Sequence, residues 1–303
     1  MASLQRSLGR TQEAMDQISS GKQLRRPSDS PTGTVTALQL RGEVRANKKY
    51  SANADDAVGR LGTMQDTLQS VTDRLQKVRQ LTLEAANAGG GSTPEANRAR
   101  AEEIDQIKGT LVQYANTKYL DRPVFGGSTP DSTAYTGGGK YEGEQAGQTL
   151  RAIGPNAKVR VDVRGPEVFG TDAALDANGD PVLDGDGEPV PNEQQLFRVL
   201  DRLSRAMRDG DAGGIKTGLE NLDIATEKVK STLSDVGARY NRVTQMKQSA
   251  EDRLMSVSSQ LSDIEDVDLP KAIMELQLQQ TSYQAALAAT AKVIQPSLID
   301  FLR

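Results

Sequence analysis

The sequence predicts a mainly α-helical protein, an elongated antiparallel bundle of long helices built from both termini with a small β-rich domain inserted at its centre. Two observations support this prediction. Apolar residues recur at steps of three and four in both halves of the 303-residue chain, which is typical of amphipathic helices. Between residues 121 and 191 the pattern stops, and this segment holds 13 of the 28 glycines and 7 of the 12 prolines, which excludes a long helix there.

The first helical pattern predicts a helix from about Asn53 to Ala88. Its apolar stripe consists of Val58, Leu61, Met64, Leu68, Val71, Leu75, Val78 and Leu81. Three glycines follow, which suit a helix end. Thr93 is the predicted N-cap of a second, antiparallel helix that begins at Pro94, because proline is well tolerated at the first helical position.

In the carboxyl half, the spacing of apolar residues predicts one long helix followed by a terminal helix. Apolar residues continue from Leu219 to Ile264, after which an acidic stretch and Pro270 predict a break. The last segment carries a heptad-like apolar seam, typical of helices that pack on partner helices.

The centre predicts two strands, residues 148–153 and the strictly alternating residues 158–164. Residues 176–189 faintly resemble the spacing of a calcium-binding loop. Pro181 stands at the sixth position of that loop, where an EF-hand needs glycine. Two successive turns are the favoured interpretation, and a calcium site is the weaker alternative.

The composition argues against several kinds of catalytic, metal-binding and nucleic-acid-binding site. The chain has no cysteine and no histidine, which excludes thiolate metal sites and removes the commonest general base. Its 37 basic and 41 acidic residues give a net charge of −4, and we expect no nucleic-acid partner. No apolar run is long enough to predict membrane insertion or a cleaved signal peptide. We therefore predict no catalytic residues, no metal and no cofactor.

A serine hydrolase is the enzymatic alternative. Residues 19–22 fit the pattern S-x-x-K, and residues 216–218 fit K-T-G, which would make Ser19 and Lys216 the reactive residues. The S-D-N element of such enzymes is missing, and their K-T-G belongs on a strand, whereas here it opens a predicted helix. Short patterns of this kind arise readily by chance.

The predicted organisation has five segments: an N-terminal helix and connector (1–55), a helical hairpin (56–120), the β-rich insertion (121–193), a long return helix (194–265) and the C-terminal helix (266–303). Neither amphipathic half can bury its apolar face alone, so helices from both ends must pair and meet neighbours. The predicted assembly interface consists of Leu4, Leu8, Met15, Ile18, Leu276, Tyr283, Leu287, Ile294, Leu298 and Phe301.

Residues 20–31, SGKQLRRPSDSP, resemble the S-G-x-x-I-x-x-P-S-D-D-P stretch of the flagellin-like family of flagellar axial proteins. Ser30 replaces the second Asp and can also cap a helix. Residues 236–242 resemble the G-A-R-x-N-R signature of that family. Residues 124–127 and 295–302 resemble the I-F-G-G and Q-x-S-L-L-D-F-L segments of its hook–filament junction branch. The matching positions are Ser20, Gly21, Pro27, Ser28, Asp29, Pro31, Val124, Phe125, Gly126, Gly127, Gly237, Ala238, Arg239 and Asn241.

The resemblance implies a non-catalytic structural adaptor, secreted through the flagellar type III export route and placed at the hook–filament junction. The implied partners are hook-associated protein 1, flagellin, a ring of like subunits and an export chaperone at the C-terminal helix. The stretch before Ser20 is shorter than is usual in the family, which predicts a shortened amino end. A flagellin filament subunit is the first alternative. A generic coiled-coil protein ranks below it, because it leaves residues 20–31 unexplained.

Overall fold

The computed structural model describes residues 2–87, 93–131, 133–144 and 147–301, with side chains described between residues 8 and 289. The elements in chain order are α1 (Ala2–Ser20), α2 (Pro31–Asn87), α3 (Pro94–Ala115), β1 (Lys118–Tyr119), β2 (Arg122–Pro123), β3 (Leu150–Gly154), β4 (Ala157–Arg160), α4 (Gly165–Phe169), α5 (Leu196–Asp209), α6 (Ala212–Glu265) and α7 (Leu269–Phe301). Long helices come from both ends of the chain and short strands lie between them. The predicted fold class is confirmed.

The chain divides into two compact units. Residues 1–48 and 251–303 form what we call the terminal unit, and residues 49–250 form the central unit. Helices α2 and α6 each contribute residues to both units. The five-segment division from the sequence remains a prediction, because compactness alone does not define where a domain ends.

Helix α2 begins at Pro31, much earlier than the residue Asn53 that periodicity predicted. Its start has the predicted cap, since the Ser30 Oγ accepts a hydrogen bond from the Gly33 N–H at 3.1 Å. Between these two points Ala37, Leu40 and Val44 have helical spacing, but Asn47, Lys48 and Ser51 interrupt the apolar stripe before it resumes. Helix α3 begins as predicted, with the Thr93 side chain accepting from the Ala96 N–H.

The long return helix predicted over 194–265 is wrong, because it consists of two helices. Helix α5 ends at Asp209 and is capped by Gly210, whose φ of 67° lies in the left-handed region that favours glycine, and α6 begins two residues after Gly210. The signal was present in the sequence. Leu196, Leu200, Leu203 and Met207 form their own apolar stripe just before that glycine, and all four are fully buried.

The central unit contains the hydrophobic core. The predicted stripe on α2 is confirmed as its spine, since Leu61, Met64, Leu68, Val71, Leu75 and Val78 are all 0% exposed. Helix α3 packs against α5. The Ser204 hydroxyl donates to the Ala101 carbonyl oxygen at 3.2 Å, and the Lys108 ammonium donates to the Asp201 carboxylate at 2.7 Å.

The strands form two separate two-stranded antiparallel sheets, one from β1 and β2 and one from β3 and β4. The predicted strands at residues 148–153 and 158–164 correspond to β3 and β4, but β4 ends at Arg160. Burial becomes continuous beyond the strand, because Val161, Asp162 and Val163 are all at most 1% exposed. Although these residues lie outside β4, the Val161 N–H donates to the Thr149 oxygen at 2.9 Å and Arg164 forms an isolated antiparallel bridge with Gly126.

Residues 173–191 form a cluster of turns around a ring of three backbone hydrogen bonds. The Ala174 N–H donates to the Val190 oxygen, the Val182 N–H to the Ala174 oxygen and the Val190 N–H to the Val182 oxygen, each at 2.8 Å. Asp176 and Asp184 each accept two backbone N–H bonds inside a turn. Both carboxylates are thus engaged by the backbone, which agrees with the favoured interpretation of two turns.

Candidate assembly site

The terminal helices α1 and α7 pack on each other within the terminal unit. Of the predicted interface, Ile18, Leu276 and Tyr283 are half-buried in this unit. Leu8, Met15 and Leu287 are 46%, 47% and 45% exposed. The side chains of Leu4, Ile294, Leu298 and Phe301 lie outside the described part of the structure.

The terminal unit exposes more apolar side chains than the sequence predicted. Met274 and Leu278 on α7 are 63% and 65% exposed, and Met255 on α6 is 75% exposed. The others are Val35 and Leu38 at the start of α2, and Leu269 and Ile273 at the start of α7. The heptad seam did not include Met274 or Leu278, because α7 carries apolar residues on more than one face. Met274 and Leu278 lie one helical turn apart on α7, and neighbouring exposed apolar side chains mark surfaces that bind other proteins.

The two connectors of the terminal unit, residues 21–30 and 266–268, are joined to each other by backbone hydrogen bonds. Lys22 and Asp266 form an antiparallel bridge. The Gln23 N–H donates to the Glu265 carbonyl oxygen at 2.7 Å, and the Val267 N–H donates to the Gly21 oxygen at 3.1 Å. Gly21 adopts a φ of 67°, which a side chain would strain. Its place in the S-G motif is thereby explained.

Charges reinforce this joint. The Lys22 ammonium lies 2.5 Å from the Asp266 carboxylate and 3.4 Å from that of Glu265, and the Arg41 guanidinium lies 2.6 Å from Glu265. The Glu265 side chain is only 5% exposed, so it depends on these two cations. The hydrogen bond with Lys22 lowers the pKa of Asp266, and the bond with Asp266 raises that of Lys22.

Asp29 organises the P-S-D part of the same motif. Its carboxylate accepts hydrogen bonds from the backbone N–H groups of Arg26 at 2.8 Å and Arg25 at 3.1 Å. These hydrogen bonds lower the pKa of Asp29, and the bond from the Arg26 N–H has the larger effect. With Ser30 capping α2, residues 25–31 form a fixed entry into the helix. The motif therefore stabilises the connector rather than forming a reactive site.

Residues 124–127 pack within the central unit. Phe125 is fully buried, and its carbonyl oxygen accepts from the Gly165 N–H at 2.8 Å. Gly127 has a φ of 70°, and a Cβ there would come within 2.9 Å of the Glu144 carbonyl oxygen. The ring of Phe125 belongs to a cluster of aromatic side chains with Tyr135, Tyr141, Phe169 and Phe197, in which ring centroids lie 5.2 to 5.5 Å apart.

The G-A-R-x-N-R residues lie on α6. Arg239 donates to the Asp162 carbonyl oxygen at 3.2 Å and pairs with Asp235 one turn earlier, so it ties α6 to the segment after β4. Ala238 and Asn241 are exposed. Arg239 is therefore the structural member of this motif within the chain.

The position of Lys216 does not fit the serine-hydrolase alternative. Lys216 lies on helix α6, whereas the K-T-G element of the serine enzymes belongs on a strand. In the described ranges no group of three or more carboxylates could hold a metal ion. Over that same part of the chain no helix is long and apolar enough to cross a membrane.

Comparisons with known proteins agree with the motifs. Residues 1–127 match the bacterial flagellin N-terminal helical region, and residues 219–302 match the bacterial flagellin C-terminal helical region. Flagellar hook-associated protein 3 of Escherichia coli strain K12 is 25% identical over 288 residues, which cover 90% of this chain and 87% of that protein. The flagellin of Bacillus subtilis strain 168 is 24% identical over 286 residues, covering 94% of this chain and 90% of that one.

A solved structure shares the fold. The crystal structure of flagellar hook-associated protein 3 from Legionella pneumophila gives a TM-score of 0.59 at 17% identity, covering 75% of this chain and 98% of that one. The two matched sequence regions lie at the two ends of the chain, where the sequence motifs placed the helices of the axial proteins. The chain therefore belongs to the flagellin-like family, as its motifs predicted, and is a structural protein of the bacterial flagellum.

Proposed function

We propose that this protein is the non-catalytic adaptor of the hook–filament junction, which joins hook-associated protein 1 to flagellin and packs head to tail with like subunits after export. Contacts that repeat between two different surfaces of identical subunits generate rings or helical arrays, which a junction between two tubular structures requires. The observation that carries the proposal is the uncovered apolar surface of α1 and α7 in the terminal unit.

The terminal unit suits such an assembly for an energetic reason. Burying a leucine or methionine side chain contributes about 1.5–3 kcal/mol. Met274 and Leu278 forgo most of that contribution in the single chain. Neighbouring subunits that covered them would recover it on assembly, without any new chemistry.

Flagellin remains the alternative, since the Bacillus subtilis flagellin covers as much of the chain as the hook-associated protein does. The resemblance of residues 124–127 and 295–302 to the junction branch favours the adaptor. The copy number in isolated flagella separates the two functions. An adaptor is a minor band, and a flagellin is the dominant one.

Removal of residues 273–303 tests the proposal. We expect the shortened chain to keep the central core, seen as an unchanged cooperative urea transition, but to be absent from purified flagella. Filaments in that strain should detach into the medium. A motile strain with attached filaments would contradict the proposal.

A pair of point variants makes the same test without shortening the chain. Leu278→Glu places a charge on the exposed apolar surface, and Gln277→Glu places the same charge on the adjacent exposed residue. We expect filament attachment to fall in the first strain and to remain in the second. An equal effect of the two charges would argue against an apolar contact at Leu278.

The same helix is our proposed site for an export chaperone, because an amphipathic helix fits an apolar groove. Pull-down from the cytoplasm with the full chain and with the chain lacking residues 273–303 checks this. Undiminished capture of the chaperone by the shortened chain would reject this site.

A separate experiment tests the hydrolase alternative. Labelling by an acyl-serine probe that is lost in Ser19→Ala would support a serine hydrolase.

A further inference from the structure

Glu265, the last residue of α6, holds three segments of the terminal unit together. Its carboxylate lies 2.6 Å from the Arg41 guanidinium on α2 and 3.4 Å from the Lys22 ammonium in the first connector. Its carbonyl oxygen accepts hydrogen bonds from the N–H groups of Gln23 at 2.7 Å and Leu24 at 3.4 Å. One buried residue therefore fixes the end of α6, the adjacent part of α2 and the connector after α1 in one arrangement.

The two connectors hold the terminal helices close to this residue. The connector before α7 has only three residues, and its last residue, Asp268, caps the helix by accepting from the Lys271 N–H at 3.1 Å. In the connector after α1, the Arg25 guanidinium lies 2.9 Å from the Asp16 carboxylate on that helix. The Arg25 N–H also donates to the Asp29 carboxylate at 3.1 Å. Both helices are thus held at the ends that adjoin the joint of the connectors.

A small rotation at this joint would become a large displacement along the terminal helices, because α1 and α7 pack on each other. At about 1.5 Å per residue, the 33 residues of α7 span about 50 Å. A rotation of about 10° at the joint would therefore move the far end of α7 by about 9 Å. Apolar side chains are in contact only when their atoms lie within about 4.5 Å of each other. An assembly surface on these helices therefore requires a fixed direction at the joint.

We propose that Glu265 is a positioning residue for assembly: it sets the direction in which the pair of α1 and α7 leaves α2 and α6, and the protein enters the flagellum only in that direction. This inference rests on the proposed function, in which α1 and α7 carry the assembly surface. Glu265 acts without touching another subunit, since its side chain is 5% exposed. Leu278 differs in this respect, because it is 65% exposed and is the proposed contact residue.

Two spin labels in the free, full-length chain measure the direction. The chain has no cysteine, so Gln39→Cys on α2 and Gln280→Cys on α7 each provide one labelling site at an exposed position. We expect a narrow distribution of label-to-label distances when Glu265 is present. After Glu265→Gln we expect a distribution at least about twofold broader, with the same helical content by circular dichroism. Glu227→Gln, which neutralises an exposed carboxylate on α6, is the matched control and should leave the distribution unchanged.

An exchange of charges tests whether the pairing at the joint is needed for assembly. Lys22→Asp brings a third carboxylate beside Glu265 and Asp266, and we expect attached filaments per cell to fall at least about tenfold. Lys22→Asp combined with Asp266→Lys restores an opposite pair, because the two positions face each other across an antiparallel bridge. We expect the double variant to regain attachment to within about threefold of the unaltered strain.

Three results would overturn the inference. An unchanged distance distribution in Glu265→Gln would show that this carboxylate does not set the direction. A loss of helical content in the same variant would show that it maintains folding instead. Full attachment with Lys22→Asp, or no recovery in the double variant, would show that assembly does not depend on pairing at the joint.

These outcomes are distinguishable from a failure of the proposed function. If the unaltered chain is present at the hook–filament junction and the joint variants assemble as it does, the inference about Glu265 fails and the junction function stands. If the unaltered chain is itself absent from the junction, the proposed function fails and the inference about assembly fails with it.

Discussion

The central and terminal units differ in how completely they bury the apolar side chains of their helices. The central unit has a core of large apolar side chains that are completely buried, with Leu61, Met64 and Leu68 at 0% exposure, although some outside that core, such as Leu120, are exposed. Among the described side chains of the terminal unit the buried apolar ones are Ala14, Ala37, Leu40, Val257 and Ala272, most of them small, while large side chains remain exposed. Both units contain amphipathic helices. The difference shows that helical periodicity predicts an apolar face but not what covers it.

The largest expected effect compares one leucine from each unit. Leu68→Ala removes a fully buried side chain of the core, and we expect a loss of about 2–5 kcal/mol in the free energy of unfolding. Leu278→Ala removes a side chain that is 65% exposed, and we expect a change within about 0.5 kcal/mol. Urea unfolding of the two variants measures both values. Similar losses in the two variants would contradict the proposed contrast between the units.

Glu265→Gln should loosen the terminal unit alone. It removes the charge that Lys22 and Arg41 share at a side chain 5% exposed, and we expect a loss of about 1–3 kcal/mol in the local stability of the connectors. Hydrogen exchange of the backbone amides of Gln23 and Val267 measures this loss, since both amides donate across the joint.

The control for that prediction is Glu227→Gln, which neutralises an exposed carboxylate paired with Lys230 in the central unit. It should leave exchange at the connectors unchanged. Unchanged exchange in Glu265→Gln as well would show that the two cations do not hold the joint.

Acid should weaken the same joint by a smaller amount. The folded-state pKa of Asp266 is lowered from 3.8, chiefly by the hydrogen bond with Lys22. A lowered pKa means that the contribution to stability is present above pH 3.8 and is lost as the pH falls through the folded-state value. Because Asp266 is 43% exposed, solvent reduces this contribution to a few tenths of a kcal/mol.

Asp266→Asn checks the acid effect. The protection of the Val267 amide, which is its exchange rate relative to the intrinsic rate at the same pH, should fall below pH 3.8 in the unaltered chain and depend less on pH in the variant. An identical pH profile in the two proteins would exclude Asp266 as the titrating group.

The sequence predicted those features that depend on local pattern. The stripe on α2, the caps at Ser30 and Thr93 and the break before α7 all follow from spacing and from residues that favour helix ends. The start of α2 and the separate helix α5 were missed. In the first case Asn47, Lys48 and Ser51 interrupt the apolar stripe of α2, and in the second the prediction did not use Gly210, which caps α5.

The candidate site was less predictable, because it depends on residues far apart in the chain. Lys22 and Asp266 are separated by 244 positions, and no local pattern links them. Met274 and Leu278 lie outside the heptad seam, so their exposure emerged only when α1 was seen packed on α7. The β1–β2 turn at Leu120, where the backbone has a positive φ, could not be foreseen, since its residues are not those that the conformation favours.

The central claim is that the apolar surface of the terminal unit is open in the single chain and covered in the flagellum. The chain has no cysteine, so Leu278→Cys gives one reactive thiol on that surface, and Asp186→Cys gives one in the exposed turn cluster. We predict fast maleimide labelling of both in the free protein, with at least tenfold protection of position 278 alone in isolated flagella. Equal labelling of position 278 in the free and the assembled protein would contradict the claim.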